Sequence, residues 1–114
     1  GSIVNISSIA GLRGLPNNLA YVASKHAVVG MTKTASREYA KHGIRINAVC
    51  PVFTLTNLFK PEYFGDKAEK LKQTIPMKRY GTADEIAEAI IWLSTDKASF
   101  VTGHIMSIDG GQTA

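Results

Sequence analysis

Tyr21 and Lys25, in the stretch Ala20-Tyr21-Val22-Ala23-Ser24-Lys25, stand four residues apart. On a helix that spacing puts both side chains on one face, about 6 Å apart along the axis. An ammonium group beside a phenol favours the phenolate. A tyrosine held in this way can give or take a proton near neutral pH, which is the work of a general acid or base. Taken singly, the pair also fits an amphipathic surface tyrosine and an exposed lysine. Its weight comes from company. Ser8 stands thirteen positions before Tyr21, at the end of Gly1-Ser2-Ile3-Val4-Asn5-Ile6-Ser7-Ser8. Downstream come Asn47-Ala48-Val49-Cys50-Pro51 and Ile108-Asp109-Gly110-Gly111.

These residues need elements to hold them. Ile3-Val4-Asn5-Ile6 is a short β-branched run suited to a buried strand, and Gly11, Gly14 and Pro16 punctuate a loop after it. A helix is predicted from about Asn18–Ala20 to Lys41. Its inward face would be Ala23, Ala27, Val28, Met31 and Ala35, with Lys33, Arg37 and Glu38 outward, and Gly43 as its stop. Ile44 to Val49 reads as a second strand ended by Pro51. The stretch 53–80 is looser, broken by Pro61, Gly65 and Pro76, with a helix over Asp66 to Thr74. Thr82-Ala83-Asp84-Glu85 has the form of a capping box ahead of Ile86, Ala89, Ile90 and Leu93, and Ile105 to Ile108 is a last strand. Strand, helix, strand, helix, strand with no hairpin signal predicts one α/β unit with a parallel sheet covered on both faces. In such a sheet ligands bind beyond the carboxyl ends of the strands. Ser8, Pro51 and the first turns of the Tyr21 helix all fall at that edge.

Together, the four motifs and their order resemble the short-chain dehydrogenase/reductase family of NAD(P)-dependent oxidoreductases, over essentially the whole chain. The likeness is to the C-terminal half of such an enzyme: half of a doubly wound, Rossmann-like sheet, so that residues 1–114 would be one partial domain. The resemblance implies a reaction between an alcohol and a ketone or aldehyde, with NAD or NADP carrying the hydride. Tyr21 would be the acid or base, Lys25 would assist it and bind the nicotinamide ribose, and Ser8 would position the substrate oxygen. Ser7 is the rival serine; the family spacing to Tyr21 favours Ser8. Ser24 and His26 flank the lysine but project from other faces.

The family usually follows the second strand with Pro-Gly and then a threonine. Here the run is Pro51-Val52-Phe53-Thr54-Leu55-Thr56. The resemblance makes Pro51, Val52, Thr54 and Thr56 cofactor-binding, with the Thr54 backbone on the nicotinamide carboxamide and the Thr56 hydroxyl assisting. Val52 in place of glycine is a departure, since a β-branched residue resists a positive φ or a close backbone approach. Leu55, Leu58, Phe59, Tyr63, Phe64 and Met77 make 53–80 an apolar lid, suited to an apolar alcohol or ketone.

Composition narrows the alternatives. With 45% hydrophobic and 19% charged residues in 114, the chain reads as one globular unit at most. The net charge of +4 comes from basic residues interleaved with acids; Lys67, Lys70 and Lys72 lie among Glu62, Asp66 and Glu69 as a solvated face, so nucleic acid is not an expected partner. No apolar run is long enough to span a membrane. The single Cys50 cannot form an internal disulfide and favours a reducing, cytoplasmic setting. His42 and His104 have no partner spacing, and no metal is expected. A homo-oligomer, dimer or tetramer, is implied by the resemblance and by the run Ile90-Ile91-Trp92-Leu93, which is too wide for one face. No Gly-rich turn follows a strand to cradle a pyrophosphate, so NAD and NADP are not distinguished. The 114 residues alone are therefore expected to be inactive. The competing reading is a truncated, non-catalytic α/β fragment that serves only in assembly or has no function of its own.

Overall fold

In the computed structural model, which describes residues 1–114, five strands and three helices order the chain. They are β1 (Ser2–Ile6), α1 (Leu19–Tyr39), β2 (Arg45–Pro51), β3 (Thr54–Leu55), α2 (Asp66–Gln73), β4 (Gly81–Thr82), α3 (Ala83–Ser94) and β5 (Ile105–Ile108). β1 and β5 flank β2, all parallel, with Val4 opposite Asn47 and Cys50 opposite Ser107. This is the expected α/β order. β2 takes the centre because its run from Ile46 to Cys50 is buried throughout. Pro51, which lacks an N–H, is tolerated as the last residue of the strand.

Side chains alternate across the sheet, and the polar ones mark which helix covers which face. Asn5 donates through Nδ2 to Thr32 Oγ1 of α1 at 3.0 Å, whereas Ser2, three positions earlier, donates to the Leu93 carbonyl of α3 at 3.0 Å. The two helices therefore lie on opposite faces. The expectation of a buried first strand is corrected: Ile3 and Ile6 are 48% and 47% exposed, because β1 is an edge strand with one neighbour.

The inward face of α1 also differs from expectation. Val29, Thr32 and Ser36 are buried, while Ala23, Ala27 and Met31 are exposed. The hydroxyls can face inward because each satisfies itself locally, Thr32 on the Val28 carbonyl at 2.8 Å and Ser36 on the Lys33 carbonyl at 2.8 Å. Their small size lets the chain approach closely: a Cβ on Gly103 would lie 2.7 Å from Ser36 Oγ. The helix passes into a short 3₁₀ turn, Ala40–His42, and stops at Gly43, whose φ of 73° suits glycine.

α3 is fixed at both ends. Thr82 Oγ1 accepts from the Glu85 N–H at 3.2 Å and Glu85 reaches back to the Thr82 N–H at 3.0 Å, the predicted capping box. At the other end the Arg45 guanidinium donates to the carbonyls of Leu93 (2.8 Å), Thr95 (2.9 Å) and Val101 (3.3 Å). Leu93 is buried while Ile91 and Trp92 remain 55% and 40% exposed.

A second, two-stranded parallel sheet has no counterpart among the predicted elements. β3 pairs with β4, Thr54 opposite Gly81 and Leu55 opposite Thr82. It closes the neck of the segment 56–80. Inside that segment Phe59 meets Phe53, Phe64 and Tyr80 at centroid distances of 5.3, 5.0 and 5.1 Å. Its far end is tied to the turn after β5, with the Met77 N–H on the Gly110 carbonyl at 3.2 Å and Gln112 Nε2 on Thr74 Oγ1 at 2.7 Å. No helix is long and apolar enough to cross a membrane.

Candidate active site

The chain leaves β1 in a tight sequence of anchors. Ser7 still belongs to the sheet through its N–H on the Val49 carbonyl at 2.9 Å, and its side chain faces α1, where its hydroxyl donates to the Lys25 carbonyl at 2.9 Å. Ser8 then starts a 3₁₀ turn, Ile9–Gly11, and its Oγ accepts from the Ala10 N–H at 3.1 Å. Gly11 is required here: a Cβ would stand 2.4 Å from Ser7 Oγ and 2.8 Å from the Lys25 carbonyl oxygen. The two serines are thus separated by their surroundings. Ser7 is buried with its proton donated, while Ser8 acts only as an acceptor and keeps its proton for another partner.

Tyr21 and Lys25 sit in the first turns of α1, as the spacing requires. The Lys25 ammonium lies 5.7 Å from the centroid of the Tyr21 ring, within cation–π range. It also donates to the Ile6 carbonyl at 3.3 Å, at the carboxyl end of β1. That bond uses one of its three N–H groups. Ser24 and His26 turn back to their own helix, on the carbonyls of Tyr21 (2.8 Å) and Val22 (2.9 Å), and stay exposed.

A cavity of about 540 Å³ opens beyond the ends of β1 and β2. Ser8, Tyr21, Pro51, Val52, Thr54 and Thr56 all line it; Lys25 does not, and reaches the site through Tyr21 and Ile6. Phe53, Leu58 and Phe59 of the lid and Ile86 and Ile90 of α3 give it an apolar wall. Val52 takes no positive φ, the only non-glycine residues that do being Asn17 and Lys78. It packs instead with Ile9 and Ile75 in a small core flanked by Phe53 and Tyr80. The Thr54 hydroxyl is engaged on the Val52 carbonyl at 2.7 Å. Thr56 Oγ1 accepts from the N–H groups of Leu58 and Phe59 at 3.1 and 3.2 Å, which leaves its proton free. Beneath this loop Cys50 is buried, and burial pushes its thiol up from the ordinary value, so it fills space rather than reacts.

The donor set fits one end of a dinucleotide. An ammonium with two spare N–H groups beside a phenol suits a pair of ribose hydroxyls, and the apolar cavity floor suits a flat ring. Nothing in the chain resembles a pyrophosphate cradle. Sequence reasoning weighed Ser7 only as the rival of Ser8 and Gly11 only as a loop residue, and missed the carbonyl of Ile6. A hydroxyl after a strand and a glycine four residues on were visible in the sequence; the carbonyl of an apolar residue carries no signal at all.

Comparison with known proteins gives consistent matches. A family model described as Enoyl-(Acyl carrier protein) reductase matches residues 1–113. The short-chain dehydrogenase srdC of Neurospora crassa is 43% identical over 115 residues, covering 99% of this chain and 42% of that protein. Among solved structures, 4-hydroxyisoleucine dehydrogenase complexed with NADH superposes with a TM-score of 0.93 at 37% identity, covering 99% of this chain and 47% of that one. ElxO with NADP bound gives a TM-score of 0.91 at 42% identity, covering 98% and 46%. The chain therefore spans about half the length of the relatives it matches.

Proposed function

The chain belongs to the short-chain dehydrogenase/reductase family, and from that membership we propose that it is the catalytic half of an oxidoreductase interconverting a secondary alcohol and a carbonyl compound. NAD or NADP supplies or takes the hydride when bound. Tyr21 gives its phenolic proton to the carbonyl oxygen in reduction and takes it back in oxidation. Ser8, whose proton has no partner in the protein, donates to the same oxygen and fixes its position. Lys25 holds its charge beside Tyr21 and offers its spare N–H groups to the ribose hydroxyls. The backbone of the Pro51–Thr56 loop faces the nicotinamide. Phe53, Leu58 and Phe59 favour an apolar substrate, and the setting is cytoplasmic.

One observation carries this reading: two hydroxyls with undonated protons, on Ser8 and Tyr21, line one cavity, with the Lys25 ammonium against the Tyr21 ring. The test is Tyr21→Phe in the full-length protein, assayed with NAD and NADP over a panel of apolar alcohols and ketones. Turnover should fall by about 10²–10⁴-fold while dinucleotide binding persists. Retention of most of the wild-type kcat would refute the role given to Tyr21. A folded wild type that binds dinucleotide but turns nothing over would favour the non-catalytic alternative.

A further inference from the structure

We propose that Ser7 is a positioning residue for the reaction, setting the distance between the Ser8 and Tyr21 hydroxyls; the inference rests on the function proposed above. Three elements meet at Ser7. Its N–H holds it to β2 through the Val49 carbonyl at 2.9 Å, its chain position ties it to β1, and its hydroxyl reaches α1 at the Lys25 carbonyl at 2.9 Å. Ser8 is the next residue in the chain. Tyr21 is one helical turn before Lys25, so the bond from Ser7 fixes the turn that carries both Tyr21 and Lys25.

The attachment is reinforced from both sides. The preceding residue, Ile6, receives the Lys25 ammonium at 3.3 Å, so the last residue of β1 and the one after it grip the side chain and the backbone of one lysine. Gly11 closes the junction, with no room for a methyl group between Ser7 Oγ, the Lys25 carbonyl and Val29. A buried hydroxyl with a single defined acceptor is stiff, since losing its partner leaves a polar group unsatisfied. A small error at such a joint is costly, because positioned proton donors depend on sub-ångström placement.

Kinetics of the full-length protein separate this role from a structural one. Ser7→Ala should lower kcat about tenfold or more, leave the KM for the dinucleotide within about twofold, and unfold at nearly the wild-type temperature. Ser7→Thr, which keeps the hydroxyl, should recover most of the loss. Gly11→Ala strikes the same joint from the other side, and the double variant should lose less than the product of the two single losses. Wild-type kcat in Ser7→Ala, or a loss matched by loss of folded protein, would overturn the proposal. Tyr21→Phe in the same assay keeps the two readings apart. If Tyr21→Phe loses its turnover and Ser7→Ala keeps the wild-type kcat, only the positioning role fails; if Tyr21→Phe keeps its turnover, or the wild type turns nothing over, both fail.

Discussion

In the proposed reaction Lys25 would serve two tasks with one ammonium group. Its bond to the Ile6 carbonyl and its seat on the Tyr21 ring fix the charge, while two N–H groups remain for a ligand. Replacing it by alanine should therefore damage two quantities at once in the full-length protein. Turnover should fall by about 10²-fold or more. Dinucleotide affinity should fall by about 10–100-fold, as expected for lost hydrogen bonds to a charged group. Lys25→Met, which keeps the stem, should behave like the alanine variant if charge rather than packing is responsible. Steady-state kinetics beside calorimetric titration checks this; a variant with wild-type affinity would remove the ribose role and leave only the proton chemistry. Residue type and spacing mark Tyr21 and Lys25 as a candidate pair, and it is the family resemblance that prefers Ser8 to Ser7. What holds them could not be read in this way, because the partners are backbone carbonyls of Ile6 and of Lys25 itself, and a carbonyl looks the same in every residue.

At the scale of elements, α3 gives the clearest test of a cap. The Glu85 carboxylate is held by the Arg79 guanidinium through two bonds of 2.7 Å and by Thr82, and these lower it from the ordinary 4.5 to about 2. A folded-state value below the unfolded one means a contribution present above about pH 4.5 and lost as the pH falls toward 2. The pair is exposed and screened, so the effect is modest. Melting curves across that range should show a shallower acid decline in Glu85→Gln than in the wild type; identical slopes would mean that other carboxylates dominate. Thr82→Ala should cost about 1 kcal/mol at neutral pH. This cap, the ends of α1 and the last strand were legible because caps, Gly43 and β-branched runs are local signals. The inward face of α1 was not. There the buried positions are Val29, Thr32 and Ser36, so burial follows closeness of approach rather than hydrophobicity. The β3–β4 pair escaped for another reason: two residues per strand have no period to read.

The whole molecule is elongated, 50 × 28 × 25 Å, with only 17 of 114 residues buried, so much apolar surface awaits cover. Part of it lies along β1, where Ile3 and Ile6 flank an unpaired strand edge that can template association. The 114 residues alone should self-associate or unfold readily, and calorimetry with NAD and NADP should find no micromolar binding, since the proposed contacts would hold only one end of a dinucleotide. Tight binding with hydride transfer by this segment would mean a second anchoring site. Ile91 and Trp92 on α3 and Ala23, Ala27 and Met31 on α1 are exposed in these 114 residues. They suit a dimer or tetramer. Sedimentation equilibrium of the full-length protein at micromolar concentration should show one, and a monomer would leave those faces without a purpose.

The neck formed by β3 and β4 separates two kinds of change. Because the Gly81 N–H meets the Phe53 carbonyl at 3.1 Å, the intervening chain leaves and returns through one point. Once its ends are joined, lengthening such a loop costs little: about 0.6 kcal/mol for each doubling. The outer part of the segment, residues 62–72, can therefore be extended with small consequence for the strands beneath, whereas Phe59, stacked on Phe53, and Ile75, buried with Ile9 and Val52, have to stay. Selection, or an engineer grafting loops, can then revise what enters the cavity while Ser8 and Tyr21 stay as they are.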